Sequence, residues 1–216
     1  MTEFAIPPAE RAVVPVEGSS AVFPVRRIYC VGRNYAAHRA EMGGDNRDPP
    51  FFFSKPADAV VPPGRDVPYP PATENLHHEI ELVVAIGEGG SIFGYAAGVD
   101  LTRRDLQAKA KDKGQPWDAA KGFDASAPIS AIRRADGSSP EGQIRLSVNG
   151  QVRQDAKVSD MIWNVEEIVA EAGKLWKLEP GDLIFTGTPE GVGPLQRGDL
   201  VEGEVEGVGS LSFRIV

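Results

Sequence analysis

Polar and apolar positions change rhythm sharply at His77-His78-Glu79-Ile80-Glu81-Leu82-Val83-Val84-Ala85-Ile86-Gly87. A dense apolar run rich in β-branched residues and closed by glycine predicts a strand. Side chains alternate across a strand, so Glu79 and Glu81 share a face with Val83 and Ala85. A second apolar segment, Gly94 to Val99, ends at Asp100 and leads into a helix start. Upstream, the prolines at 7, 8, 15 and 24 make residues 1–24 an irregular, extended lead-in. Val25 to Val31 reads as a strand ended by Gly32, and Asn34 to Met42 as a short helix stopped by Gly43-Gly44. Asp45 to Pro50 is a polar loop, Pro50 to Pro56 a short aromatic strand, and the proline-rich 61–73 a connection.

Downstream, Thr102-Arg103-Arg104-Asp105 has the form of an acidic capping box, with a helix to about Lys113 and Gly114 past its end. Trp117 to Pro128 reads as loop. Ile144 to Val148 is a strand, and Asn149-Gly150 predicts a hairpin returning through Val152. Asn164 and Glu167 cap a helix ending near Lys177, with Val165, Ile168, Val169, Ala172 and Leu175 at helical spacing. Pro180-Gly181-Asp182 turns the chain into the strand Leu183 to Thr186, followed by the glycine-rich loop Gly187 to Gly193. Strands near Val201–Val205 and Leu211–Val216 close the chain. Many strands and about three helices predict an α+β, mostly β fold. There is no internal repeat, and no linker splits residues 25–216, which read as a single domain.

The 216 residues suffice for a sizeable core, and 41% hydrophobic with 25% charged residues is an ordinary globular composition. A formal net charge of -8 argues against nucleic acid or an anionic membrane as partner. No apolar run approaches membrane-spanning length, and Met1-Thr2-Glu3-Phe4 lacks the basic start of a signal peptide. The single cysteine, Cys30, excludes an intramolecular disulfide, fits a reducing cytoplasm and reads as a buried core thiol.

Two readings of Glu79 and Glu81 stand side by side. They are exposed carboxylates on a strand edge, or, with Asp100, a site for a hard divalent cation, which prefers carboxylate oxygens. His38 and Glu41, three apart on a predicted helix, are a surface pair or a dyad in which the carboxylate orients an imidazole base. Lys121 lies among small and aromatic residues and is either solvated or a ligand for a substrate carboxylate or enolate. The loop Thr186-Gly187-Thr188-Pro189 can offer N–H groups and a hydroxyl to an anion, but lacks the lysine of a phosphate loop. His77 and His78 are candidates for metal binding or for structural support.

The ordered set Gly32 to Glu41, His78 to Leu82, Gly98 to Asp105, Trp117 to Asp124 and Thr186 to Pro189 resembles the fumarylacetoacetate hydrolase family. Phe23 to Val31 and Pro49 to Pro56 are most similar to its fumarylpyruvate hydrolases of gentisate degradation. The resemblance implies a mixed β-sandwich roll, a catalytic domain over 25–216 and a homodimer. It implies that Glu79, Glu81 and Asp100 ligate Mg²⁺ or Mn²⁺, with Ca²⁺ as a substitute. His38 and Glu41 are the implied water-activating dyad, while Lys121 and Thr188, with Gln107, hold substrate oxygens. Arg33, Arg39 and Lys55 are candidates for a distal carboxylate. Fumarylacetoacetase itself is longer and takes another metal-ligating aspartate from upstream. This chain has no counterpart, so water or substrate completes the coordination, as in the family's short members. The implied activity is hydrolytic C–C cleavage of a 2,4-diketo acid, fumarylpyruvate to fumarate and pyruvate. The alternatives are an acylpyruvase, an oxaloacetate or related oxo-acid decarboxylase, a keto–enol or double-bond isomerase, and a non-catalytic binding protein of the same fold.

Overall fold

A computed structural model describes residues 4–35 and 48–216. The predicted helix Asn34 to Met42 lies outside the described residues from position 36 onward, and with it His38, Arg39 and Glu41. The centre is a six-stranded mixed sheet in the order Arg133–Arg134, Ile92–Val99, Ile80–Ile86, Asp182–Phe185, Arg27–Gly32 and Phe51–Lys55. Asp182–Phe185 runs parallel to Arg27–Gly32 and antiparallel to Ile80–Ile86.

This sheet is covered on both faces, which is why its strands read as near-continuous apolar runs. On one face Ile80, Leu82, Val84 and Ile86 pack with Ile144, Leu146, Val201 and Phe213 of a four-stranded antiparallel sheet. The helix Val165–Leu175 adds Ile168 and Ala172 to that core. On the other face Val83 and Ala85 join Ile28, Cys30, Leu183 and Phe185. Cys30 is a fully buried thiol whose acidity burial suppresses. Each fully buried aliphatic or aromatic side chain contributes about 1.5–3 kcal/mol relative to exposure. The fold is α+β and mostly β, a mixed sandwich.

The Asn149-Gly150 hairpin forms with both residues at positive φ, joining Gln143–Val148 to Gln151–Lys157. Asn164 and Glu167 make their reciprocal capping box, though the helix stops at Leu175. Four elements differ from expectation. The chain at 13–24 is a hairpin, Val13–Pro15 with Val22–Pro24, because its prolines sit at strand ends and its apolar side chains reach the second core. The strand expected over 77–87 is two strands, Leu76–His78 and Ile80–Ile86, with Glu79 at the break. The Thr102 capping box does not form. Thr102–Arg103 pairs as strand with Leu76 and His77, the Thr102 hydroxyl donates to the Asp100 carbonyl, and Asp105 is engaged by Thr73 and the Glu74 N–H. The helix therefore starts at Arg104, runs to Asp112, and ends before Gly114 at φ 62°. The stretch 117–128 holds one helical turn, Asp118–Lys121.

Candidate metal centre and substrate cleft

The break at Glu79 builds the site. Ile80–Ile86 enters the central sheet at Ile80, opposite Val99, while Leu76–His78 belongs to a small sheet with Gly193–Leu195 and Thr102–Arg103. Asp100 follows the neighbouring strand, and its N–H donates to the Glu79 carbonyl at 2.8 Å. One ligand oxygen from each of Glu79, Glu81 and Asp100 lies within 4.8 Å of the others, and all three residues are buried. The exposed-edge reading of the E-x-E pair is excluded by this burial.

Cations surround the triad. Lys121 Nζ lies 2.8 Å from Glu79 Oε2 and 2.6 Å from Asp100 Oδ2. Lys55 Nζ lies 2.8 Å from Asp100 Oδ1 and donates to the carbonyls of Leu101 at 3.1 Å and Lys121 at 2.5 Å. Arg104 pairs with Glu79 and donates to Gln107 Oε1 at 2.7 Å. The Gly187 N–H donates to Glu81 Oε2 at 2.7 Å. Lys55 is thus a buried counter-ion of Asp100 rather than a group for a distal substrate carboxylate.

Glu79 and Glu81 titrate in opposite directions. Burial of Glu79 would raise its pKa, but Lys121 and Arg104 outweigh it and hold the carboxyl well below the usual range. Glu81 is pushed well above that range by burial first, then by Asp100 and Glu79. Two buried like charges at this separation favour a cation between them. Asp100 Oδ1, ion-paired with Lys55, makes no hydrogen bond of good geometry. An all-oxygen donor set with a spare acceptor fits a hard divalent cation such as Mg²⁺ or Mn²⁺.

Above the triad, one cleft is lined by Glu79, Glu81, Arg33, Gln107, Lys121 and Thr188. The expected site residues from five segments therefore meet in one place; His38 and Glu41 lie outside the described residues. Arg33 stands at the rim with φ 63°. A wider aromatic cleft, lined by Arg33, Phe51, Phe53 and Trp117, opens beside it. Neither His77 nor His78 joins the carboxylate group. His77 Nε2 contacts Asn75 Oδ1, and His78 Nδ1 contacts Gln154 Oε1, both at 2.9 Å.

Arg104 and Gln154 are site residues that the sequence reading did not bring out, and Lys55 was brought out in a different role. Arg104 was legible, since it stands three before Gln107 and so shares its helix face. Lys55 was legible only as a cation, because its partners come from residues 100, 101 and 121.

The fumarylacetoacetate (FAA) hydrolase C-terminal family model matches residues 27–216. The chain belongs to the fumarylacetoacetate hydrolase family. Fumarylpyruvate hydrolase of a Ralstonia species is 47% identical over 176 residues, 76% of this chain and 92% of that protein. The mitochondrial oxaloacetate tautomerase of Mus musculus is 41% identical over 202 residues, 88% of this chain and 91% of that protein. The crystal structure of fumarylpyruvate hydrolase from Pseudomonas aeruginosa in complex with Mn²⁺ and pyruvate superposes with a TM-score of 0.95 at 47% identity, covering 99% of each chain. This family member is a hydrolase acting on carbon–carbon bonds.

Proposed function

We propose that this protein hydrolyses fumarylpyruvate to fumarate and pyruvate. The observation that carries the reading is the single cleft that sets Arg33, Gln107, Lys121 and Thr188 above the buried Glu79–Glu81–Asp100 triad. The Pseudomonas aeruginosa relative, with Mn²⁺ and pyruvate in its structure, supports the same substrate end.

Glu79, Glu81 and Asp100 hold Mg²⁺ or Mn²⁺, which supplies a Lewis acid for the 2-oxo-acid end of the substrate. Gln107 and Thr188 fix the oxygens of that end, and Arg33 at the rim meets the distal carboxylate. His38, oriented by Glu41, takes a proton from water as the water oxygen bonds to the acyl carbonyl carbon. The bond from that carbon to the methylene breaks, and its electron pair becomes the pyruvate enolate. Lys121, an ammonium inside the cleft, offsets that charge until a proton returns to the methylene carbon. A homodimer belongs to this reading through the family resemblance, and sedimentation velocity reads it.

The tautomerase relative favours a second reading, in which the same site moves a proton on oxaloacetate. Loss of the diketo-enol absorbance of fumarylpyruvate, with Mn²⁺ and with chelator, is measured beside oxaloacetate tautomerisation and decarboxylation. Metal-dependent turnover of fumarylpyruvate far above both oxaloacetate reactions is expected. Preference for oxaloacetate sinks the hydrolase assignment and keeps the metal site.

A further inference from the structure

Gln154 lies on the four-stranded sheet, yet its side chain is fully buried against the metal-site strand. Simple alternation would put Gln154 on one face with Val152. The register steps from Leu146 opposite Gln154 to Ser147 opposite Val152, so two residues on one strand answer one on the other. This bulge turns Val152 outward, 53% exposed, and Gln154 inward. The loop after Thr188 is fitted onto the same bulge. A Cβ on Gly191, at φ 88°, would lie 2.1 Å from the Arg153 carbonyl oxygen.

All the hydrogen-bonding positions of the Gln154 amide that matter here are assigned by their partners. The Ile80 N–H donates to Oε1 at 3.1 Å, and Nε2 donates to the Pro189 carbonyl at 3.0 Å. A backbone donor and a backbone carbonyl cannot exchange roles, so the amide cannot be flipped. His78 Nδ1, 2.9 Å from Oε1, must then carry a proton and donate. The second Nε2 hydrogen goes to Thr188 Oγ1 at 2.8 Å. Thr188 Oγ1 is an acceptor in that bond, which leaves its own proton to be donated elsewhere. Thr188 is a cleft residue, 4% exposed.

We infer that Gln154 is a positioning residue. It clamps the His78–Ile80 turn that carries Glu79 to the Thr188–Pro189 loop, and it fixes Thr188 as a hydrogen-bond donor to the substrate oxygen that gains charge. No covalent step passes through Gln154, and the Thr188 proton is shared rather than transferred. The inference rests on the proposed formation of a pyruvate enolate in this cleft.

The test is a double-mutant cycle with Mn²⁺ and fumarylpyruvate on Gln154→Leu, Thr188→Val and the pair. Removing one donor aimed at developing charge costs about 10²–10³ in kcat. Each single variant is expected to lose about 10²-fold in kcat with KM changed less than about threefold, and the pair to lose little more than the worse single. Losses that multiply in the pair, or an unchanged kcat in Gln154→Leu, overturn the inference. Should thermal melting show that Gln154→Leu does not fold, Gln154→Glu keeps the acceptor for Ile80 and His78 and, when ionised, has no donor for Thr188. The same kcat loss is expected there, and parental kcat overturns the inference. Oxalate, a planar mimic of the pyruvate enolate, gives a readout apart from turnover. Calorimetry on the Mn²⁺-loaded protein is expected to show roughly tenfold weaker oxalate binding in the variants, with Mn²⁺ affinity kept in Thr188→Val. A parent that binds oxalate but does not cleave fumarylpyruvate overturns the hydrolase reading alone; equal oxalate affinity in parent and variants overturns the role of Gln154.

Discussion

Glu81 is a carboxyl that burial and two neighbouring carboxyls push toward protonation, while Lys121 and then the Gly187 N–H oppose them. That N–H is placed by a backbone only glycine adopts easily, at φ 101°. A Cβ at Gly187 would lie 2.7 Å from Asn34 Cβ and 3.2 Å from the Val31 carbonyl oxygen. Gly187→Ala is therefore expected to cost about 2–3 kcal/mol in denaturant melts and to weaken Mn²⁺ binding in calorimetry. Wild-type stability in that variant would show that the loop yields cheaply. His38 carries the second residue-scale prediction. From the proposed role of His38 as a base acting on water, His38→Ala is expected to keep Mn²⁺ affinity and lose about 10²–10⁴ in kcat. Undiminished hydrolysis would remove His38 from catalysis.

At the scale of elements, the strand Asp182–Phe185 joins the two halves of the central sheet, parallel to one neighbour and antiparallel to the other. Its first residue is anchored by charge. Asp182 accepts from Arg27 Nη2 at 2.7 Å, from Arg26 Nη1 at 3.2 Å and from the Glu179 N–H at 2.9 Å. Burial alone would raise its pKa, but these bonds outweigh burial and hold the carboxyl below the ordinary range. A depressed carboxyl contributes stability above its unfolded pKa of about 4 and loses it as pH falls through the folded value. Asp182→Asn is expected to destabilise by about 2 kcal/mol at neutral pH, since both arginines keep partial solvent access. The gap between parent and variant should close as urea melts are taken from pH 7 toward pH 3. A gap that persists at pH 3 would assign the effect to shape rather than charge.

Across the whole molecule, the sheet needs a lid on each face, and the N-terminal hairpin is part of one lid. Val14, Val16 and Phe23 are at most 5% exposed and pack in the core that holds Val83, Ala85 and Phe185. Their loss uncovers the face of the strand that also presents Glu81. A chain beginning at Val25 is expected to lose roughly 5 kcal/mol from these three side chains, much of the stability of an ordinary domain. Thermal melting with and without Mn²⁺ measures it, and an unshifted midpoint would make the hairpin dispensable.

Most of the central strands, the Asn149-Gly150 turn, the Asn164 cap and the burial of Cys30 were determined by the sequence itself, because period, turn chemistry and capping act over a few residues. The E-x-E pair and Asp100 were legible as a carboxylate group for the same reason, and family resemblance supplied an order for the remaining site residues. Only the tertiary structure decided the rest. Thr102 is a local cap by pattern, yet pairing with Leu76–His77 claims its backbone first. Lys55 is a candidate for a distal substrate carboxylate in the sequence, yet Asp100, 45 positions on, takes it as a counter-ion. Val152 and Gln154 share a face by alternation, yet one extra residue in the ladder sets them on opposite faces, with Gln154 inward. Each of these depends on contacts between distant segments, and a local pattern carries no record of which distant group will arrive.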